Sequence, residues 1–203
     1  MYKLFITKQN SVFLFLCLIF VGCSYAPYRY SFSLIEPHRE AMSFEDENVQ
    51  FKFAPSVENI RIGIKNKTGH VINVVRDNAK YIDFSGKTHE IHYGYDYVEE
   101  VRNFTRNNMY VTPMKIGPDS EITGYAWINI WPDFCIGEDR TTITGAQINY
   151  LKESFFPRHS FEGSVNDLKG STFNLILPID FGEYVRDYTF TFMVDDVIEE
   201  RKN

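Results

Sequence analysis

His89, Glu90, His92 and Asp96 gather four side chains of metal-ligand type into eight residues. Zinc takes three or four such ligands, and a zincin-type pair needs two histidines four apart on a helix. Here the histidines are three apart, and on a strand residues three apart point to opposite faces. No metal site is therefore expected. Cys135 follows Trp131-Pro132-Asp133-Phe134, and His159 is the only later histidine. A cysteine nucleophile needs a positioned base, and no signature joins these two, so a small buried thiol is the expectation. Tyr125, Trp127 and Trp131 alternate with Ala126, Ile128 and Ile130. If the aliphatic face is core, the rings face outward, where they could stack on a sugar or anchor a protein. Large aromatics are mostly buried, however, so a loop covering that face is the favoured reading. Tyr93, Tyr95 and Tyr97 alternate with His92, Gly94 and Asp96. They offer a recognition surface or, better supported, a cross-strand aromatic ladder.

The strongest chemical signal lies near the start of the chain. Lys3 and Lys8 precede an apolar run from Val12 to Val21, closed by Phe20-Val21-Gly22-Cys23. The run is about half the roughly 20 residues that a membrane-spanning helix needs, so it reads as an export signal. The closing box resembles the processing site of bacterial lipoproteins, with Phe20 in the place where Leu dominates. That resemblance implies cleavage before Cys23 and a diacylglyceryl thioether on its sulfur. Ser24 occupies the place where lipoproteins kept at the inner membrane often carry Asp, so the outer membrane is the expected address if the host has one. Residues 1–22 would then be the removed signal, 23–30 the lipidated cysteine and a tether, and 31–203 one domain.

Charge and cysteine usage fit that placement. The formal net charge is -6, and losing Lys3 and Lys8 with the signal takes it to -8. An acidic chain without a basic block makes nucleic acid an unexpected partner and leaves the acyl group to hold the membrane. With Cys17 removed and Cys23 lipidated, Cys135 stands alone and no internal disulfide can form. About 180 residues can bury roughly 70% of the unfolded chain's surface, enough for a core without cross-links.

The elements that must position these groups follow a period of two. Val49, Phe51 and Phe53 alternate with Gln50 and Lys52; Ile60, Ile62 and Ile64 with Arg61, Gly63 and Lys65; Phe190, Phe192 and Val194 with Thr191 and Met193. Such alternation marks strands with one buried face. Asn66-Lys67-Thr68-Gly69, Asp83-Phe84-Ser85-Gly86-Lys87, Gly117-Pro118-Asp119 and Asp180-Phe181-Gly182 supply turns between them. Tyr81 to Phe84 and Thr88 to Ile91 should flank a hairpin. Ser164 to Asp167 has a capping-box shape, and Ala146 to Phe155 could be a short helix or a strand. The expected fold is all-β: an antiparallel β-sandwich with at most one or two short helices.

Ile62 to Thr68, Val71 to Val74 with Asp77, and Tyr81 to Lys87 together resemble uncharacterised bacterial lipoproteins with an immunoglobulin-like β-sandwich. More distantly, they are similar to the sandwich domains of water-stress and late-embryogenesis proteins. Leu175 to Ile179 and Tyr188 to Phe192 fit the same lipoproteins. The resemblance implies the fold and carries no catalytic residues. There is also no Gly-rich phosphate loop and no nucleophile elbow. No cofactor and no enzymatic activity are expected. The readings that remain are a binding or scaffolding module for another envelope protein and, as the alternative, a glycan or peptidoglycan binder using the Tyr125, Trp127 and Trp131 face.

Overall fold

The computed structural model describes residues 28–37, 41–97, 113–129, 152–158 and 164–198. Cys23, Trp131, Cys135 and His159, all named above, lie outside them. The described chain is almost entirely antiparallel β. Its strands are β1 (Arg29–Glu36), β2 (Ser43–Glu45), β3 (Val49–Pro55), β4 (Ile60–Asn66), β5 (Ile72–Val74), β6 (Lys80–Ile82) and β7 (Thr88–Gly94). They continue with β8 (Met114–Ile116), β9 (Glu121–Asn129), β10 (Lys152–Glu153), β11 (Thr172–Asp180) and β12 (Val185–Ile198). The helical content described is two single 3-10 turns, Arg76–Asn78 and Val165–Leu168. The second carries the expected capping box, with Ser164 accepting from the Asn166 N–H and Asp167 accepting from the Ser164 N–H.

The strands do not form two separate sheets. They run β1-β12-β11-β6-β7-β9-β4-β3-β2 along one continuous path, with β5, β8 and β10 attached at its sides. β7 is the joint, pairing with β6 through Thr88 to Glu90 and with β9 through Ile91 to Gly94. The sheet curls at this strand, so that β3 comes to face β12 across the core. The architecture is therefore barrel-like. β1 begins at Arg29, so the strands start two residues inside the segment read as a tether.

Phenylalanines on the apolar phase of each strand fill the interior. Phe53 sits 4.6 Å from Phe190 and 5.2 Å from Phe192, and Phe51 lies 5.0 Å from Phe190, ring centre to ring centre. These contacts join β3 to β12 directly, and all four rings are buried. Each contributes roughly 1.5 to 3 kcal/mol through burial. Gly124 serves this packing. A Cβ there would come within 2.8 Å of the Tyr93 ring, which lies across it and donates its hydroxyl to Ile62 O at 3.0 Å.

Strand registers define two ends. The first, the hairpin end, holds the β11–β12 turn at residues 181–184, the β2–β3 turn, the loop after Asn66 and the turn at Gly117 to Ser120. The opposite end holds the β6–β7 turn, the β3–β4 turn and the start of β1, where Arg29 pairs with Ile198.

Candidate functional site

At that second end the segment after β10 crosses the opening of the barrel. The Phe155 N–H donates to Val57 O and the Tyr28 N–H to Arg158 O, both at 2.8 Å. Phe155 and Phe156 are both buried. Phe155 meets Tyr81 edge-on at 4.5 Å, and Phe156 packs on Phe32 and Phe173 at 5.2 Å. Tyr30 donates its hydroxyl to Pro157 O, and burial, followed by neighbouring Tyr28, pushes that phenol up to about 12. The segment is a plug.

Beside the plug opens a cavity of about 320 Å³, lined by Tyr81, Asp83, Phe84, His89, Glu153 and Phe156 among others. The β6–β7 hairpin builds its polar wall. Gly86 takes φ 86° to close the turn, a conformation that costs glycine little. Asp83 Oδ1 accepts the N–H groups of Ser85 and Lys87 and the Ser85 hydroxyl, as expected of an Asp turn. Its other oxygen lies 2.8 Å from His89 Nε2. Burial acts to raise the Asp83 pKa. The hydrogen bonds from the Ser85 side chain, His89 and the two backbone N–H groups outweigh it and hold the carboxyl at about 2. An ionised carboxylate only accepts, so the hydrogen in this pair sits on Nε2. The other ring nitrogen, Nδ1, points toward Glu153 Oε2 at 4.0 Å. Tyr81 forms the inner wall, donating its hydroxyl to Phe155 O at 3.2 Å. Burial, then the charges of Asp83 and Glu153, pushes that phenol well above the ordinary tyrosine range.

The sequence-predicted residues take separate places. His89 faces Asp83 and Tyr81, whereas His92 stacks on Trp127 at 6.4 Å on the other side of β7. The two histidines do not converge. Among the described residues no group of three His, Cys, Asp or Glu side chains could hold a metal ion. Trp127 is only 4% exposed, packed against Tyr97 at 5.3 Å and Tyr125 at 5.9 Å. Its face is covered, while Tyr125 stays half-buried. The three tyrosines also separate: Tyr93 is wholly buried beneath β9, Tyr97 is 7% exposed beside Trp127, and Tyr95 is 56% exposed. Sequence reasoning took Asp83 as a turn former and missed its pairing with His89. The hairpin sets His89 opposite Tyr81, which makes Asp83 its diagonal neighbour across the strands, and that register was the available signal.

Polar side chains organise the hairpin end. Asn66, fully buried, donates Nδ2 to His70 O, Ile116 O and Gly117 O, and its Oδ1 accepts from the Thr68 N–H and hydroxyl. Asp46 caps Asn48 and Val49 with one oxygen and with the other accepts from Arg186 and Tyr188 of β12. On this frame Val71, Tyr184 and Val185 are 48%, 49% and 57% exposed. Glu47, Asp119 and Glu183, also exposed, stand on the same turns. A second, smaller groove of about 210 Å³ lies on the outer face of β3, β4 and β9, between Lys52, Arg61, Glu121 and Thr123. Arg61 pairs with Tyr125 at its margin. No helix among the described residues is long and apolar enough to cross a membrane. No protein-family model, curated protein or solved structure matches the chain.

Proposed function

We propose that the chain is a bacterial lipoprotein, held in the cell envelope through lipid on Cys23, that binds another envelope protein through its hairpin end and is not an enzyme. The observation that carries this reading is polarity along the barrel. β1 starts at the plugged end, and Val71, Tyr184 and Val185 are exposed at the other. The six residues from Cys23 to Arg29 reach at most about 20 Å when extended, so a lipid there keeps the plugged end at the bilayer. The hairpin end then faces away from it. Its apolar residues among Glu47, Asp119 and Glu183 suit a partner whose apolar patch is edged by Lys and Arg. Against an enzyme speaks His89, whose open nitrogen faces a carboxylate instead of a hydroxyl or thiol. We read the curled sheet as a relative of the immunoglobulin-like sandwich, with β3 and β12 as its facing layers.

Two experiments test this. Labelling with a radioactive fatty acid should mark the parent protein and leave a Cys23→Ala form unmarked; equal labelling would sink the anchor. Co-purification after gentle cross-linking should recover a protein that a Tyr184→Ala, Val185→Asp double variant captures at least about tenfold less, the loss expected from removing an aromatic anchor. Equal capture contradicts the hairpin-end surface.

A second reading, a cell-wall glycan binder, is favoured by the groove that holds Arg61, Thr123 and Glu121, with half-buried Tyr125 opposite Arg61 on the neighbouring strand. Sedimentation with purified cell wall that is lost in Tyr125→Ala would support it over the first.

A further inference from the structure

One nitrogen of a histidine opens into the cavity beside the plug. His89 is nine-tenths buried, and its Nε2–H is committed to Asp83. Its Nδ1 has no hydrogen-bond partner among the described residues, and the atom it faces is Oε2 of Glu153, 4.0 Å away. A lone pair and a carboxylate oxygen are both acceptors. Facing each other at that distance they repel, and 4.0 Å is too long for a direct hydrogen bond even if Nδ1 carries a proton. The gap suits one donor atom, which can sit about 2.8 Å from each acceptor.

Charge and shape narrow what that donor is. Asp83 and Glu153 put two carboxylates on the cavity, and no Lys or Arg is among its described lining residues. Asp83 already accepts four hydrogen bonds, so the unmet negative charge is that of Glu153, half exposed at the mouth. Aromatic rings form the other walls. Phe84, 36% exposed, lies nearly parallel to Phe156 at 6.2 Å, and Tyr81 closes the back. Ring faces attract a desolvated cation and also pack on carbon. A neutral polyol would satisfy the two acceptors and leave the charge unbalanced; an anion would meet two carboxylates. We propose that this cavity is a binding site for a primary ammonium group on a short unbranched carbon stem, with the nitrogen bridging His89 Nδ1 and Glu153 Oε2 and the stem lying against Phe84 and Phe156. At about 320 Å³ the space falls at the lower end of the range for small-molecule sites, roughly 300 to 1,000 Å³. The same chemistry occurs in a free diamine and in the side chain of a peptide lysine. This site is separate from the hairpin-end surface, and either can fail without the other.

Calorimetric titration of the full-length protein in detergent micelles tests the proposal with three probes. 1,5-Diaminopentane represents the free amine, N-acetyl-lysine methylamide the peptide side chain, and 1,5-pentanediol has the stem without charge. Saturable binding of at least one amine is expected, with the diol at least about tenfold weaker, since hydrogen bonds to a charged group are the stronger kind. The tighter of the two amines identifies the source. Glu153→Gln keeps the shape of a half-exposed side chain and should weaken amine binding at least about tenfold. His89→Gln should weaken it too, while Tyr125→Ala, on the outer face, should leave it unchanged. Failure of both amines to bind up to roughly 10 mM, diol binding as tight as amine binding, or parental affinity in Glu153→Gln would each overturn the site.

Discussion

The two ends of the barrel are closed by opposite physics. At the plugged end, the buried rings of Phe155 and Phe156 fill the opening. At the hairpin end, Asn66 and Asp46 tie four turns together with hydrogen bonds, and Val71, Tyr184 and Val185 stay in solvent. An apolar plug is non-directional and tolerates rings of similar volume; a buried amide is directional and tolerates almost nothing. The difference also separates roles. The end closed by Phe155 and Phe156 keeps a polar cavity, and the end tied by Asn66 and Asp46 displays Val71, Tyr184 and Val185.

Removing a ring from the plug should cost most. Phe155→Ala is expected to lower stability by about 3 to 5 kcal/mol, because the ring is buried and packed edge-on against Tyr81. Chemical denaturation measures this, and Phe155→Leu should recover most of the loss. The directional end is next. Asn66→Ala should cost about 3 kcal/mol by stranding three backbone carbonyls. Here the near-isosteric Asn66→Asp should not rescue, since it removes the donor those carbonyls need. A rescue at Asn66 equal to that at Phe155 would erase the contrast between the ends. Asp46→Ala should cost about 1 to 2 kcal/mol, with loss of protection from hydrogen exchange confined to residues 46–49 and the start of β12.

Acid should also weaken the plugged end. Asp83 is depressed to about 2 in the folded protein and titrates near 3.9 when unfolded. A lowered carboxyl contributes stability above its unfolded value and loses it as pH falls through the folded one. Between about pH 4 and pH 2 the β6–β7 turn should therefore lose hydrogen-exchange protection, and Asp83→Asn should remove that part of the pH dependence. The smallest effect belongs to the outer face, where Lys52 and Glu121 are 3.8 Å apart and both exposed. Lys52→Ala should change stability by less than about 1 kcal/mol.

Much of this fold was legible in the chain. The alternation of Val49, Phe51 and Phe53, of the three isoleucines from Ile60, and of Phe190 and Phe192 marked β3, β4 and β12, because a strand with one wet face writes its period into sequence. The turns at Asp83 and Asn66 were equally visible, since their chemistry is local. What sequence did not carry was pairing at a distance. Nothing local tells β7 to change partners between Glu90 and Ile91, and that single step joins two expected layers into one curled sheet. Phe155-Phe156 had no period at all. Trp127 showed which face it belonged to, but not that His92, Tyr97 and Tyr125 would gather around it. Of the cavity, the hairpin half with Asp83 and His89 could be inferred from register, whereas Glu153, more than sixty residues away, could not.

On the proposed reading the two ends face different neighbours, the bilayer and a protein. Site-specific photo-cross-linking in living cells tests it most directly, with the photoreactive residue placed at Tyr184 on the hairpin end or at Thr172, exposed on the plugged end. A discrete protein adduct is expected from position 184, and lipid adducts without that protein from position 172. The same protein adduct at comparable yield from both positions, or lipid adducts from position 184, would contradict it.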